Sequence, residues 1–297
     1  MKAVKPVLAA LSLLCMTTVL SGCATIQARV ERGGTFTTAG IAYVDAIPAV
    51  LDESFALTVA ANSHQLLLSR GDLTEEERAE ELGKSNALLH ERQQLLQNLR
   101  RHSLLLRSYF LALQALTADD KASGINSATE GVVTRLAELR PGIEDKTIGD
   151  AKITDLIGPG IKLVVGAYQN AALKQELAAR GEAIERELAL QQEAINALID
   201  DMTDNAQLII QIEELNPIFI EYVSAKRVSK TWNDKRLSAF KRTVSMESHD
   251  DIRNAAASMH STWIALVEKR DTEATINLLI EDVERFSAVA RLFKSND

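Results

Sequence analysis

Two cysteines, five histidines and one cluster of cations are the places where this sequence could do chemistry. The histidines are His64, His90, His102, His249 and His260. A metal needs ligands whose spacing closes on one ion. No Glu-x-x-His and no His-Glu-x-x-His occurs, so the helical di-iron and zinc-protease patterns lack their residues. His249 and His260 share a helical face, but the helix between them separates them by ~16 Å, too far for one metal. Each of these two reads as an ordinary surface or boundary histidine. Gly-x-Ser-x-Gly and the P-loop are absent, and Gly158-Pro159-Gly160 reads as a break between helices. The expectation is a non-enzymatic protein with no cofactor and no metal.

The cation cluster lies at 226–242, KRVSKTWNDKRLSAFKR. Lys226, Arg227, Lys230, Lys235, Arg236, Lys241 and Arg242 face a single acid, Asp234, with Trp232 and Phe240 interleaved. Basic side chains beside amphipathic aromatics suit an anionic surface: lipid headgroups, lipopolysaccharide or an acidic partner. The bland reading is ordinary ion pairing. Residues 174–221 hold eleven acids and three bases, enough to neutralise the cluster from a neighbouring helix. Arg92, Arg100, Arg101 and Arg107 read as solvated or paired.

The cysteines belong to the N-terminus. Lys2 and Lys5 precede an apolar run from Val7 to Val19, too short to span a bilayer, which needs roughly 20 residues. Charge, a short apolar run and then small residues is a secretory signal pattern. This one ends Leu20-Ser21-Gly22-Cys23, which resembles the lipobox of bacterial lipoproteins. Cys15 follows Ser12-Leu13-Leu14, a poor lipobox. The resemblance covers residues 1–23 only. It implies a signal peptide over 1–22, cleavage before Cys23, a diacylglycerol on the Cys23 sulfur and an acylated new N-terminus. Two or more acyl chains anchor stably where one does not. Ala24 replaces the aspartate that retains enteric-type lipoproteins in the inner membrane. For a Gram-negative envelope the resemblance therefore implies an outer-membrane protein facing the periplasm.

Losing residues 1–22 removes two lysines and no acid, taking the formal charge from −8 to −10. One cysteine then remains, so no disulfide forms within the chain and apolar packing must supply the stability. The acidic balance and the location argue against nucleic acid. Aromatics make up only 4%, and Ala, Leu, Glu and Gln, all strong helix formers, are abundant.

Residues 23–35 read as a tether ending in Gly33-Gly34, followed by a single helical domain over 36–297. Ile41, Val44, Leu51, Phe55, Val59 and Leu66 predict a first helix from about Phe36 to Ser69, kinked at Pro48. Gly71 fits its C-terminal cap. Thr74 with Glu77 fits a capping box opening a second helix to about Thr117, with a broad leucine stripe. An insert at about 118–160 starts with a second capping box, Ser127 to Glu130, and its helix stops at Arg140-Pro141-Gly142. From Leu163 to Val223 a seam of roughly eight heptads resembles a coiled coil, kinked near Pro217. Its polar positions, Asn170, Gln191, Asn205 and Asn216, either set register or mark exposed stretches. A last helix spans about Ser248 to Lys294.

The expected fold is all-α: an elongated antiparallel bundle of about four long helices, with coiled-coil-like seams and a small helical insert. The expected function is that of a lipid-anchored helical scaffold or adaptor for another envelope component. Its partners would be the membrane, through the N-terminal lipid, and an envelope protein or anionic lipid, with a homo-oligomer permitted by the seam. The alternative is a binder or carrier of an apolar ligand or lipid, held under the wide stripe of the second helix.

Overall fold

The computed structural model describes the backbone of residues 5–118, 125–149, 151–158, 161–166, 171–245 and 248–295. Within these, side chains are described outside 5–31, 118, 125–127, 151 and 242–245. The fold is all-α, 88% helical among the described residues. The elements are α1 (Lys5–Ser69), a 3-10 turn (Arg70–Asp72), α2 (Glu75–Ala118), α3 (Ile125–Leu139), α4 (Pro141–Glu144), α5 (Ile153–Leu156), α6 (Ala171–Ile210), a π-helical segment (Gln211–Leu215), α7 (Asn216–Ser224), α8 (Trp232–Ser245), α9 (His249–Val267) and α10 (Glu273–Ser295). Between α4 and α5, β1 (Thr147–Ile148) pairs antiparallel with β2 (Ala151–Lys152) across a turn that needs Gly149 at φ +55.

Eight helices of nine or more residues are present among the described residues, in place of the four long ones expected. Five of them, α1, α2, α6, α9 and α10, form the bundle. Thr38 bonds Gln114 at one end of the α1–α2 pair and Asn62 bonds Ser85 at the other, so these two are antiparallel. Thr58 to Asp201 and His64 to Glu213 make α6 parallel to α1. Asp200 to Arg253 and Gly181 to Trp263 make α9 antiparallel to α6. Tyr43 on Phe286 and Arg32 on Asp271 make α10 parallel to α1.

The extra helix arises at the α9–α10 corner. The sequence there has no proline or glycine. Arg270 N–H instead bonds Ala265 O at 2.7 Å and Lys269 N–H bonds Leu266 O at 3.0 Å, with Lys269 at φ 56. That is a Schellman closure with lysine at its left-handed position. Thr272 then caps α10 through Thr275 N–H at 3.2 Å. Gly166 donates its N–H to Val267 O beneath this corner. A Cβ on Gly166 would stand 2.3 Å from that of Lys269, so only glycine lets the two segments meet. Residues 161–166 accordingly stay out of helix, and α6 starts later than the seam predicts.

At the other end, α1 is one helix from Lys5 through the expected tether and through Pro48. Thr37 and Thr38 hydroxyls both bond Gly34 O, and a Cβ on Gly33 would lie 3.1 Å from Thr117 Cγ2. The two glycines therefore sit at a close helix crossing. The Thr74–Glu77 box closes reciprocally, at 2.8 Å and 3.3 Å. Both hydrogen bonds from Thr74 hold the Glu77 carboxyl below its usual range. The side chain of Ser127 lies outside the described residues, as does Asn170.

The core centres on Phe36, Tyr109, Phe110 and Trp263, which join α1, α2 and α9. The α2 stripe from Leu95 to Leu116 is core, apart from exposed Leu104 and Leu111. Between Ile184 and Met202, α6 is buried nearly all round, because α1, α2 and α9 surround it. It is a central helix, wider in contact than a two-stranded seam. Acids lying off its seam are therefore buried and must be matched. Glu187 accepts from His102 Nε2 at 3.0 Å and from Arg140. Glu185 meets His260 Nε2 at 3.0 Å. Glu176 accepts from Thr129 at 3.1 Å and from Arg180. Asp201 accepts from Arg92 at 2.6 Å. Burial raises Glu176 and Asp201 despite Arg180 and Arg92, respectively. Burial pushes Glu187 up as well, but His102 and Arg140 outweigh it and hold that carboxyl below its usual value.

Candidate interaction surface

Beyond Ile210 the chain leaves the bundle. Pro217 has no N–H to give, and its ring would crowd the carbonyl of residue 213 in a regular helix. The π-helical segment absorbs the mismatch, with Asn216 N–H bonded to Gln211 O. α7 then carries only one side chain inward, Ile218. Phe219 and Tyr222 are each 66% exposed, and Ile220 and Val223 are exposed beside them. Val228, Leu237 and Phe240 extend the exposed apolar set into the loop and α8, while Ala239 is buried on the inner face of α8.

The loop between α7 and α8 is held from both sides. Glu221 accepts from Ser229 N–H and pairs with Lys235 Nζ at 3.5 Å. The Ser229 N–H is the main reason the Glu221 carboxyl falls below its usual range. Trp232 donates Nε1–H to Ile218 O at 3.1 Å and stacks on Tyr222 at 5.6 Å between centroids. Arg236 lies over Trp232 at 5.5 Å and Phe240 at 5.9 Å. The cations at 226–242 are thus set beside the apolar surface by a built turn.

Of the expected surface residues, Lys226, Arg227, Lys230 and Lys241 are exposed and make no ion pair among the described residues. Lys235 is paired with Glu221, and Arg236 is stacked. The side chain of Arg242, like that of Cys23 within α1, lies outside the described residues. Many acids expected to neutralise the cluster are engaged elsewhere: Glu176, Glu185, Glu187 and Asp201 in the core, Asp200 with Arg253. Phe219, Ile220, Tyr222 and Val223 were not anticipated as surface. Phe219 and Val223 continue the three-and-four seam on paper. The signal against it was the dense apolar run Pro-Ile-Phe-Ile behind a proline.

The same end of the molecule carries the α1–α2 turn, since His64 Nε2 meets Glu213 Oε1 at 2.9 Å. Leu67, Leu68, Leu82 and Leu88 are exposed there. Leu66, Leu67, Leu73 and Leu82 line a cleft of about 350 Å³.

The histidines are spread through the bundle, and among the described residues no group of three metal-ligating side chains gathers. His102 is fully buried, with its partner Glu187 on α6. His249 is buried against Thr203. The Thr203 hydroxyl donates to Ile199 O at 2.8 Å, so His249 Nδ1–H donates to Thr203 Oγ1 at 3.0 Å. Burial, with Arg253 adding to it, lowers the pKa of His249 below 6.5. The unfolded chain then binds more protons than the folded one below about pH 6.5, so stability falls as pH drops through that value. His249→Gln should flatten this fall. Urea midpoints at pH 7.5, 6.5 and 5.5 check it, and an unchanged difference between variant and parent across that range would refute it.

The chain matches no protein-family model, no curated protein and no solved structure.

Proposed function

We propose that this chain is a lipid-anchored, non-enzymatic envelope protein, a helical scaffold that presents its α7–α8 end to another envelope component. The observation that carries the reading is that end itself. Large exposed apolar side chains and cations with no ion pair among the described residues lie together in α7, α8 and the loop between them, at the end of the bundle away from the Gly33 crossing. Contiguous exposed apolar surface of this kind marks an interaction site. The long helices of the bundle supply a rigid body to carry it, with α6 alone ~60 Å long. The lipobox resemblance at Leu20–Cys23 supports the anchor. A second reading, capture of an apolar ligand, is favoured only by the leucine-lined cleft at the α1–α2 turn. From Leu95 to Leu116 the α2 stripe does not support it, being core; only its start, at Leu82, reaches the cleft.

Fractionation tests the anchor. Wild type should sediment with outer membranes and resist high salt. Cys23→Ala should lose acylation, seen as a mass difference at the N-terminus, and should leave the outer-membrane fraction. Equal partitioning of the two proteins would overturn the reading. Native mass spectrometry showing a bound lipid, abolished by Leu73→Glu, would favour the second reading instead.

A further inference from the structure

We propose that α7 and α8 dock on the surface of an anionic lipid bilayer, and that this bilayer is not the one holding the Cys23 lipid. The inference rests on the reading of the chain as a lipid-anchored scaffold. Phe219, Ile220, Tyr222 and Val223 gain only by entering an apolar phase, which a hydrated polyanion does not offer. Lys226, Arg227, Lys230 and Lys241 gain only from anionic groups, which a neutral bilayer does not offer. An anionic bilayer offers both within the depth of its headgroup region. Tyr222 and Trp232, stacked at the junction, have the amphipathic rings that settle at that level. α7 has 9 residues, far too few to cross, so it lies in the interface plane. The Glu221–Ser229 and Trp232–Ile218 bonds hold the cations beside the apolar face in advance, which cuts the cost of ordering them on contact.

The second bilayer follows from geometry. Gly33 crosses Thr117 near one end of the bundle, and His64 meets Glu213 at the other. The stretch of α1 between Gly33 and His64 is ~46 Å long. Cys23 lies farther still toward the N-terminus. A bundle standing on its lipid therefore holds α7 well beyond the reach of its own leaflet.

The test uses the lipidated protein as isolated from membranes. It is reconstituted through its own anchor into sucrose-loaded phosphatidylcholine vesicles, which are then sedimented. This first spin reads the anchor alone. Dye-filled, protein-free vesicles are added, either phosphatidylcholine or phosphatidylcholine with 30% phosphatidylglycerol, and sedimented again. Capture of the anionic vesicles is expected, at least about tenfold above the neutral ones, and it should fall steeply with salt. Each cation near such a surface contributes about fivefold, so Lys226→Gln/Arg227→Gln/Lys230→Gln should lose about a hundredfold. Phe219→Ser/Tyr222→Ser should also lose capture while keeping the parental melting curve. Equal capture of neutral vesicles, or capture untouched by both variants, overturns the proposal. So does a failure to capture the protein-free anionic vesicles, which would point to a protein partner. If the protein fails to stay on the first vesicles, the anchor reading has failed. Direct addition of the protein to heavy anionic vesicles then reads the α7–α8 surface by itself.

Discussion

Glu187→Leu should destabilise the protein by about 3–5 kcal/mol, the range for removing one partner of a buried ion pair. Glu187 is buried at the centre of α6 and serves two donors at once, His102 from α2 and Arg140 from the insert. Arg140 is the lesser loss. It is partly exposed and stands 3.9 Å from Glu144, so it can return to water and a second acid. His102 has neither exit. It is fully buried, and its Nδ1 has no hydrogen-bond partner, so removing the carboxylate leaves the whole ring unsatisfied. Glu187→Gln keeps an acceptor for Nε2–H and should cost clearly less. His102→Leu in the Glu187→Leu background should recover stability, because an apolar pair of similar shape leaves no buried polar group behind. Urea melts of the parent, Glu187→Leu, Glu187→Gln, His102→Leu and the double variant check this. Additive single losses, or a cost below about 1 kcal/mol for Glu187→Leu, would mean the network does not hold α2, α6 and the insert in register.

The network also shows why part of the fold was hidden in the chain. The α2 stripe from Leu95 to Leu116 and the α6 seam from Leu177 to Met202 are legible as period, and both are buried as that period requires, whereas Leu82 and Leu88 at the start of the stripe are exposed. Glu185 and Glu187 carry no such mark. A heptad reading places them on the wet side of a two-stranded seam. They are dry because α2 and α9 close on that side, and closure depends on pairings 85 residues or more apart for His102 and on the position of α9 for His260. The α9–α10 corner was hidden for a local reason. A Schellman closure ordinarily announces itself with glycine, and here lysine pays the strain of the left-handed position. The glycine that makes the corner feasible, Gly166, lies about a hundred residues upstream.

For the interaction surface the division is sharper. The cations and Trp232 are visible in the chain as a cluster, because charge is a property of composition. Their availability is not, since it turns on where the acids of α6 go. Asp201 pointing to Arg92 and Glu187 to His102 and Arg140 withdraws those carboxylates from 226–242. The apolar half of the surface follows from the π-helical segment before Pro217. It lets the helix run on, but away from any neighbour that would cover Phe219 or Val223.

Trp263→Ala should be about as costly as Glu187→Leu, at roughly 3–5 kcal/mol from lost burial and the cavity left behind. Trp263 is fully buried where three helices meet. Its ring lies 5.7 Å from Phe36 and 6.0 Å from Tyr109, and its Nε1–H donates to Gly181 O at 3.0 Å. Alanine would leave that carbonyl to whatever water can enter. The void cannot collapse easily, because Gly181 already brings α6 and α9 together: a Cβ there would stand 3.3 Å from Val267. Trp263→Phe keeps the contacts to Phe36 and Tyr109 and loses only the hydrogen bond and part of the volume, so it should cost about 1–3 kcal/mol. A domain of ordinary stability has about 5–15 kcal/mol in hand, so the alanine variant should remain folded at 25 °C but melt at a much lower urea concentration. An alanine variant as stable as the phenylalanine one would show that Trp263 is not the joint between α1, α2 and α9. An alanine variant that also loses anionic-vesicle capture at 25 °C, while still folded, would show that the core there sets the presentation of α7 at the far end of α6.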